Sequence, residues 1–306
     1  MRQLAIKKGL KLSEYGLFRG DKQIAGRTEE GIYKALGMDY IEPEMREMRG
    51  EIELAQKHKL PKLIGYHELK GDLQVQTNWT DGAKSIEEMA IAAAKTGLEY
   101  IAVTDHTKRL AMTHGLDERR LVQQMKEVDA VNRKLKAKGL KFKVLKGTEC
   151  DILKDGNLDL PDEILKQLDV VGVSVHSFFD LSREEQTARV IKAMRNPHAD
   201  ILFHPTGRLI QRREPYEIDL GDVMTAAKAT GTILEINGSP DRLDLKDEYI
   251  RKCVELGIKM AIDSDSHNDS HFAFTGFGIA QARRGWAAKS DIINAWPAEK
   301  MLGFLK

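Results

Sequence analysis

Imidazole and carboxylate side chains recur in this 306-residue sequence directly after short runs of β-branched and apolar residues. The histidines and acids in such places are His106, Glu149, His176, His204, Asp265 and His267. Nitrogen and oxygen ligands of this kind suit zinc, manganese or iron, whereas an all-oxygen set would favour magnesium or calcium. Because clustered divalent ions activate water and neutralise phosphoryl charge, the pattern predicts hydrolysis of a phosphate ester.

A repeated chain pattern must position these residues. From Asp72 onward, short apolar runs alternate with polar loops and amphipathic segments, which is typical of βα units around a parallel sheet. The predicted strands are Asp72–Thr77, Tyr100–His106, Phe142–Glu149, Val170–His176, Ile201–His204, Thr232–Asn237 and Lys259–His267. Seven such strands indicate a closed or nearly closed α/β barrel, whose reactive site gathers residues from the carboxyl ends of several strands. Asp81, in the loop after the first strand, should face the same opening.

Helix boundary signals agree with this alternation. Ser85 with Glu88, and Ser182 with Glu185, have the spacing of a capping box. Glycines stand where helices usually end: Gly97, Gly231 and Gly257. The first 49 residues differ, with a basic helix-like start, a short extended segment and a turn followed by a helix. We therefore expect a small α+β segment at 1–49, a connector at 50–70 and the barrel at 71–306.

Composition restricts the class of protein. With 42% hydrophobic and 31% charged residues and a formal net charge of +1, the chain is globular and has no overall attraction for nucleic acid. Two cysteines, Cys150 and Cys253, are too few for a disulfide framework, and so low a cysteine content favours a reducing compartment. A single bridge between them stays open. The start lacks signal-peptide features and no apolar run reaches about 20 residues. We expect a soluble, cytoplasmic protein with no membrane partner.

The other histidines do not follow predicted strands. A lone histidine at a strand end is more often a hydrogen-bonded structural residue than a ligand, so the metal prediction depends on the recurrence. His58, His67, His198 and His271 are expected in solvated or loop roles. His114, in the THG segment after the second strand, is a candidate substrate contact.

Several motifs resemble those of the PHP (polymerase and histidinol phosphatase) domain, in the variant joined to bacterial and archaeal family X DNA polymerases. They are GDLQVQTNWTDG at 71–82, VTDHT at 103–107, KGTECD at 146–151, VSVHS at 173–177, FHPTGR at 203–208, EINGSPDRLDL at 235–245, IDSDSH at 262–267 and ARRGW at 282–286. LKLSEYGLF, RTEEGIYKALGMDYIEPEMRE and RGEIELA resemble the end of the polymerase thumb. The palm domain with its catalytic aspartates would lie before residue 1. We therefore expect no DNA synthesis by this chain, and palm and fingers domains as partners in any longer protein.

The resemblance implies a distorted seven-stranded (β/α)7 barrel of the PHP type behind a thumb-like segment. It also implies two or three divalent metal ions, Mn²⁺ or Zn²⁺ with Fe or Mg²⁺ as alternatives. Carried over onto this sequence, the implied ligand sets are Asp81, His106 and His267; Glu149, His176 and His204; and the first-strand pair with Glu149 and Asp265. The implied catalytic residues are Asp81, His106, Glu149, Asp265 and His267.

The first strand departs from the family pattern. Where PHP proteins usually carry a His-x-His pair, this sequence has Gln74 and Gln76. Strand alternation places both side chains on one face, directed into the barrel mouth. A glutamine offers only a neutral amide oxygen, which is a weak ligand for zinc and a modest one for manganese. Gln74 and Gln76 are therefore expected to weaken one metal position.

Candidate contacts for phosphate or the DNA backbone also lie in loops at this mouth: Arg208, Arg242, Lys108 and His114. A guanidinium group can form a bidentate pair with phosphate, and the alternative is a solvated charge or a structural ion pair. Trp79 and Phe178 could stack an unpaired base, with packing in the core or at the rim as the alternative.

The predicted function is that of a metal-dependent phosphoesterase acting as a 3′–5′ exonuclease on single-stranded or gapped DNA in repair. The thumb-like segment and the RLDL and ARRGW segments favour this activity. One alternative is a phosphomonoesterase of the histidinol phosphatase kind. The other is a degenerate PHP domain that serves as a DNA-binding or structural module, for which the glutamine pair is the main support.

Overall fold

The computed structural model describes residues 1–305 and divides into two compact units, Met1–Lys62 and a larger unit that begins at Leu63. The division falls within the predicted connector at 50–70, and residue 306 of the predicted barrel lies outside the described residues. The elements of the smaller unit are α1 (Arg2–Lys7), β1 (Lys11–Ser13), β2 (Gly16–Arg19), β3 (Lys22–Ala25), α2 (Glu29–Ala35) and α3 (Glu51–Gln56). Its three strands form an antiparallel sheet. The predicted small α+β segment is confirmed.

Parallel strands dominate the larger unit. They are β4 (Gly71–Val75), β5 (Tyr100–Val103), β6 (Lys143–Asp151), β7 (Val170–Ser174), β8 (Ile201–Leu202), β9 (Ile233–Asn237) and β10 (Met260–Asp263), paired in chain order. The chain just after the first strand is hydrogen-bonded to the chain just after the last one. The main-chain N–H of Gln76 donates to the carbonyl of Ser266 at 2.8 Å. The predicted seven-stranded α/β barrel is therefore confirmed as a nearly closed one.

Helices connect these strands. They are α4 (Ile86–Lys95), α5 (Glu118–Ala137), α6 (Asp162–Leu165), α7 (Arg183–Met194), α8 (Leu220–Thr230), α9 (Asp247–Leu256), α10 (Thr275–Arg284) and α11 (Ala298–Leu302). Both predicted capping boxes are present, at Ser85 before α4 and Ser182 before α7. Gly231 and Gly257 end α8 and α9 in the left-handed conformation that glycine adopts without strain.

Side-chain alternation separates an apolar layer from a polar interior. In β4, Leu73 and Val75 belong to buried apolar clusters, whereas Gln74 points the other way and hydrogen-bonds to Glu149 on β6. Asn237 of β9 reaches the same glutamine from another part of the barrel. Apolar side chains therefore pack behind the strands, and the barrel interior carries polar groups at the carboxyl ends of the strands.

Two expectations from the sequence concern membrane-spanning helices and a disulfide bridge. Within residues 1–305, no helix combines the length and hydropathy that a membrane crossing requires. Cys150 and Cys253 are both buried and unbridged, so the single disulfide left open by the sequence is not formed.

Close packing between neighbouring strands gives a stability prediction. A Cβ atom added at Gly172 on β7 would lie 1.8 Å from the buried ring of Phe203. We expect Gly172→Ala to lower the free energy of unfolding by about 3 kcal/mol, because the ring has no room to move. Gly276→Ala in α10 is the matched control, since no atom lies within 4 Å there, and it should leave stability unchanged or raise it by up to about 1 kcal/mol. Urea denaturation checks both; equal midpoints for the two variants would contradict this packing.

Candidate metal centre

Glu149 lies at the centre of the polar cluster and is 1% exposed. Its Oε1 is 2.8 Å from Nε2 of His204 and 3.1 Å from Nε2 of His176. Its Oε2 is 3.6 Å from Nδ1 of His106. Three imidazoles that follow β5, β7 and β8 thus face one carboxylate at the end of β6, which is the convergence expected at the carboxyl ends of barrel strands.

A second group shares His106 with the first. Oδ2 of Asp81 lies 3.7 Å from Nε2 of His106 and 3.5 Å from Nε2 of His267. The ring of His267 is also turned towards Asp265, with Nδ1 3.8 Å from Oδ1. Asp81 and His267 are each about one-third exposed, so this group forms the open side of the cluster.

The donor atoms fit a divalent transition metal. One ligand atom from each of Asp81, His106 and His267 lies within 4.8 Å of the others, and the same holds for His106, Glu149 and His176. Nδ1 of His106 and Nδ1 of His204 are buried without a hydrogen-bond partner, a costly state for a polar atom unless a ligand uses it. When bound here, divalent ions would lower the pKa of water and neutralise phosphoryl charge.

Electrostatics within the cluster favour this use. Burial acts to raise the pKa of Glu149, but the surrounding imidazoles outweigh it and hold that pKa well below its usual range. Burial acts to lower the pKa of His176, but Asp151 and Glu149 outweigh it and raise that pKa to about 9. Asp81 and Asp265 likewise overcome the effect of burial and raise the pKa of His267 to about 9. A cation that binds here must therefore displace protons, and its affinity should rise with pH.

Two candidate ligands have unusual backbone conformations. The φ angle is +30° at His204 and +55° at Asp265, in the left-handed region that non-glycine residues seldom adopt. Each residue lies two positions after the end of a short strand, β8 for His204 and β10 for Asp265. Such conformations persist only where the surrounding structure enforces them, and they concentrate at functional sites.

The glutamine pair is bound to the central carboxylate. Nε2 of Gln74 and Nε2 of Gln76 both donate to Oε2 of Glu149, at 3.1 and 2.9 Å. Oε1 of Gln74 accepts a hydrogen bond from Nδ2 of Asn237 at 3.1 Å. Because turning the Gln74 amide would set two donors against each other at Asn237, this network fixes the direction of the amide.

The same network continues to Asp265. Nδ2 of Asn237 lies 3.3 Å from Oδ2 of Asp265, and Nε of Arg242 donates to that oxygen at 3.2 Å. On the first-strand side, the carboxylates of Glu149 and Asp265 are thus held by N–H donors. The role of Gln74, Gln76, Glu149 and Asp265 as a further ligand set stays a prediction.

The candidate phosphate contacts have partners of their own. The guanidinium of Arg208 donates to the main-chain carbonyls of Arg242 and Leu243, the first at 2.7 Å. Lys108 forms an ion pair with Glu118. Arg242 is committed to Asp265, although its Nη1 is buried without a partner. The fourth candidate, His114, is exposed at the end of a short 3₁₀ turn at Ala111–Thr113. Their roles as substrate contacts stay predictions.

Sequence reasoning overlooked several residues of the cluster. Asp151 lies 3.2 Å from Nδ1 of His176, and it occupies the same strand face as Glu149 two residues earlier, so alternation would have found it. Asn237 ends β9, the one predicted strand to which no candidate was assigned. Asp105 precedes His106 and accepts hydrogen bonds from Thr77, which orients the loop before Asp81.

Comparison with known proteins decides the family. The family model for the PHP domain matches residues 72–238, more than half of the chain. The chain belongs to the PHP family. The model for the DNA polymerase beta thumb matches residues 1–47, so the predicted arrangement of a thumb-like segment before a PHP barrel is confirmed.

Relatives of this PHP protein carry two kinds of name. The DNA polymerase/3′-5′ exonuclease PolX of Bacillus subtilis (strain 168) is 40% identical over 308 residues, covering 100% of this chain and 53% of that protein. A protein of Thermoanaerobacter sp. (strain X514) named probable phosphatase is 35% identical over 193 residues, covering 60% of this chain and 72% of that protein. The chain thus spans about half the length of the Bacillus relative.

A solved structure agrees with the PHP fold. Histidinol phosphate phosphatase of Lactococcus lactis subsp. lactis Il1403, complexed with Zn, L-histidinol and phosphate, has a TM-score of 0.52 at 17% identity. The match covers 71% of this chain and 93% of that chain. At this identity the likeness concerns the fold. Membership of the PHP family and the side chains of the cluster together support a metal-dependent phosphoesterase.

Proposed function

We propose that this chain hydrolyses phosphodiester bonds at the 3′ ends of single-stranded or gapped DNA, using divalent ions held by the cluster around Glu149 and His106. Mn²⁺ or Zn²⁺ suits the imidazole-rich ligands best. Asp81, His106 and His267 would hold one ion, and Glu149, His176 and His204 would hold another. Asp265 would lie beside these ligands, with its carboxylate facing the ring of His267.

One observation carries this proposal: His106 belongs to two groups of candidate ligands. Within each group, the ligand atoms lie within 4.8 Å of one another. Two neighbouring groups of ligand atoms in one cluster can hold two ions, and paired ions suit the in-line displacement of a phosphoryl group. The similarity to the Bacillus DNA polymerase/3′-5′ exonuclease over the whole chain supports DNA as the substrate class. A cytoplasmic location is part of the proposal and depends on the cysteine content alone.

Specific observations favour two other candidates. The similarity to the Thermoanaerobacter probable phosphatase favours a phosphomonoesterase. The hydrogen bonds from Gln74 and Gln76 to Glu149 favour a non-catalytic DNA-binding or structural module. Each candidate predicts a different substrate profile, so one set of assays distinguishes them.

The test compares two substrates. One is a single-stranded oligonucleotide labelled at either its 5′ or its 3′ end, and the other is p-nitrophenyl phosphate. With added manganese, the 5′-labelled strand should shorten in steps of one nucleotide, and the 3′-labelled strand should release a labelled mononucleotide at once. His106→Ala, which removes the shared ligand, should retain at most about a tenth of the rate and so controls for contaminating nucleases. A preference for p-nitrophenyl phosphate would favour the phosphomonoesterase, and no metal-stimulated hydrolysis of either substrate would favour the module.

A primer-extension assay completes the test. The residues that match known families are those of the thumb and the PHP domain, so we expect no template-directed incorporation of nucleotides. Extension by homogeneous protein would overturn the assignment of these residues.

A further inference from the structure

Phe178 lies in the loop after β7, close in sequence to the candidate metal ligand His176. It follows His176 by two residues, and two residues of chain span at most about 7 Å. Its φ angle is +56°, in the left-handed region, where a bulky side chain is uncommon and strained. The ring is half-buried. Two residues after a candidate metal ligand, the loop after β7 therefore carries an aromatic residue in a conformation that the surrounding structure must enforce.

Three cations surround this ring. The distance from the ring centroid is 5.5 Å to Cζ of Arg109, 5.5 Å to Nζ of Lys154 and 5.7 Å to Cζ of Arg189. They come from three segments: the loop after β5, the loop after β6, and helix α7. Cations at such distances are attracted to the face of an aromatic ring. Phe178 thus brings together charges that would otherwise repel one another.

Arg189 has a structural role in this group. It is 3% exposed, and its guanidinium donates to the main-chain carbonyls of Leu153 and Ser177, both at 2.8 Å. These bonds tie the loop after β6 to the loop after β7. Arg189 therefore fixes the positions of the segments that carry Lys154 and Phe178, and its donors are used in doing so.

Arg109 and Lys154 are different, because both are exposed. Within residues 1–305, neither side chain forms an ion pair with a carboxylate. The nearby acids are engaged locally. Asp159 accepts from the main-chain N–H of Arg109, Asp155 accepts from Asn157, and Glu185 accepts from Ser182 in its capping box.

We propose that Arg109 and Lys154, held beside the ring of Phe178, bind a phosphate of single-stranded nucleic acid adjacent to the one that is hydrolysed. The pair offers the bidentate fork of a guanidinium and the point charge of an ammonium, both of which suit a phosphate. The half-buried ring offers an apolar edge to the unpaired base attached to that phosphate. Arg208, Arg242 and Lys108 contact protein groups, as described above, whereas Arg109 and Lys154 have no carboxylate partner within residues 1–305.

This inference deepens the proposed function and is tested by binding as well as by hydrolysis. The probe is a fluorescein-labelled 12-residue oligothymidylate, titrated without added divalent metal at several NaCl concentrations and followed by anisotropy. Arg109→Ala with Lys154→Ala should weaken binding at least about fivefold and reduce the slope of log K against log salt by about 0.7, the value for one phosphate on a single strand. Phe178→Leu keeps both charges, so it should weaken binding with an unchanged slope.

Hydrolysis of bis(p-nitrophenyl) phosphate, which has no flanking phosphate, should change by no more than about twofold in the double variant. The matched control is Arg195→Ala with Lys252→Ala, which removes the same charges from exposed positions; Lys252 also lies 5.4 Å from a ring, that of Tyr249. The control should bind the oligonucleotide like the wild type.

The inference is overturned if the double variant binds like the wild type, if the control loses as much affinity, or if hydrolysis of the small diester falls in parallel with binding. A wild-type protein that does not hydrolyse the small diester would contradict the proposed phosphodiesterase activity. The binding data would then still decide for or against this phosphate site.

Discussion

Glu149→Gln should lower the rate of metal-dependent hydrolysis at least about a thousandfold, equivalent to roughly 4 kcal/mol of transition-state stabilisation. Glu149 is the carboxylate that faces His106, His176 and His204, and it is 1% exposed. Glutamine preserves the volume of the side chain but removes its charge. Without that charge, the cluster loses the group that offsets a bound cation, so the number of bound ions should fall with the rate.

A buried glutamate elsewhere provides the control. Glu51, in the smaller unit, is 3% exposed and accepts hydrogen bonds from the main-chain N–H groups of Met48 and Arg49. Glu51→Gln should keep the wild-type rate and metal content. Steady-state kinetics and elemental analysis measure both quantities. If folded Glu149→Gln protein keeps more than about a tenth of the activity, hydrolysis does not take place at this cluster.

Gln74→His with Gln76→His should add one bound metal ion and raise the rate of hydrolysis at least about tenfold, because a metal beside the reacting phosphate typically supplies several kcal/mol. In the wild type, both amides donate to Oε2 of Glu149. Neutral imidazoles in their place would present lone pairs beside that carboxylate and beside Asp265, in the ligand chemistry that transition metals prefer.

The test is a comparison of metal content and manganese-dependent rate in four proteins. They are the wild type, the two single histidine variants and the double variant. Adding Glu149→Gln to the double variant should remove the gain, because the new ion would share that carboxylate. An extra ion without a faster rate would point to a binding module. If neither quantity changes, Asn237 and Arg242 hold the first-strand side closed to metal.

The fold was predictable because it depends on local patterns. The strands from β4 to β10 were located by apolar runs, and the capping boxes at Ser85 and Ser182 located two of the helices between them. The convergence of His106, Glu149 and His176 followed from the rule that side chains at the carboxyl ends of barrel strands meet.

Pairing between distant side chains was not predictable in the same way. Arg208 binds main-chain carbonyls in the segment 242–243, a contact that no spacing in the sequence reveals. Likewise, the direction of the Gln74 amide depends on Asn237, which is 163 residues away along the chain. The position of Arg208 and Arg242 in loops at the barrel mouth made them candidate phosphate contacts, whereas the three-dimensional arrangement leaves Arg109 and Lys154 without carboxylate partners in the part of the chain that is described.

The most direct test of the central claim is elemental analysis of the purified wild-type protein after reconstitution with manganese or zinc and removal of unbound metal. The ligand groups that share His106 predict about two ions per chain. Asp81→Ala should lower that content by about one ion, because Asp81 belongs to one group only. A metal content near zero in the folded wild-type protein would contradict a metal centre at this site.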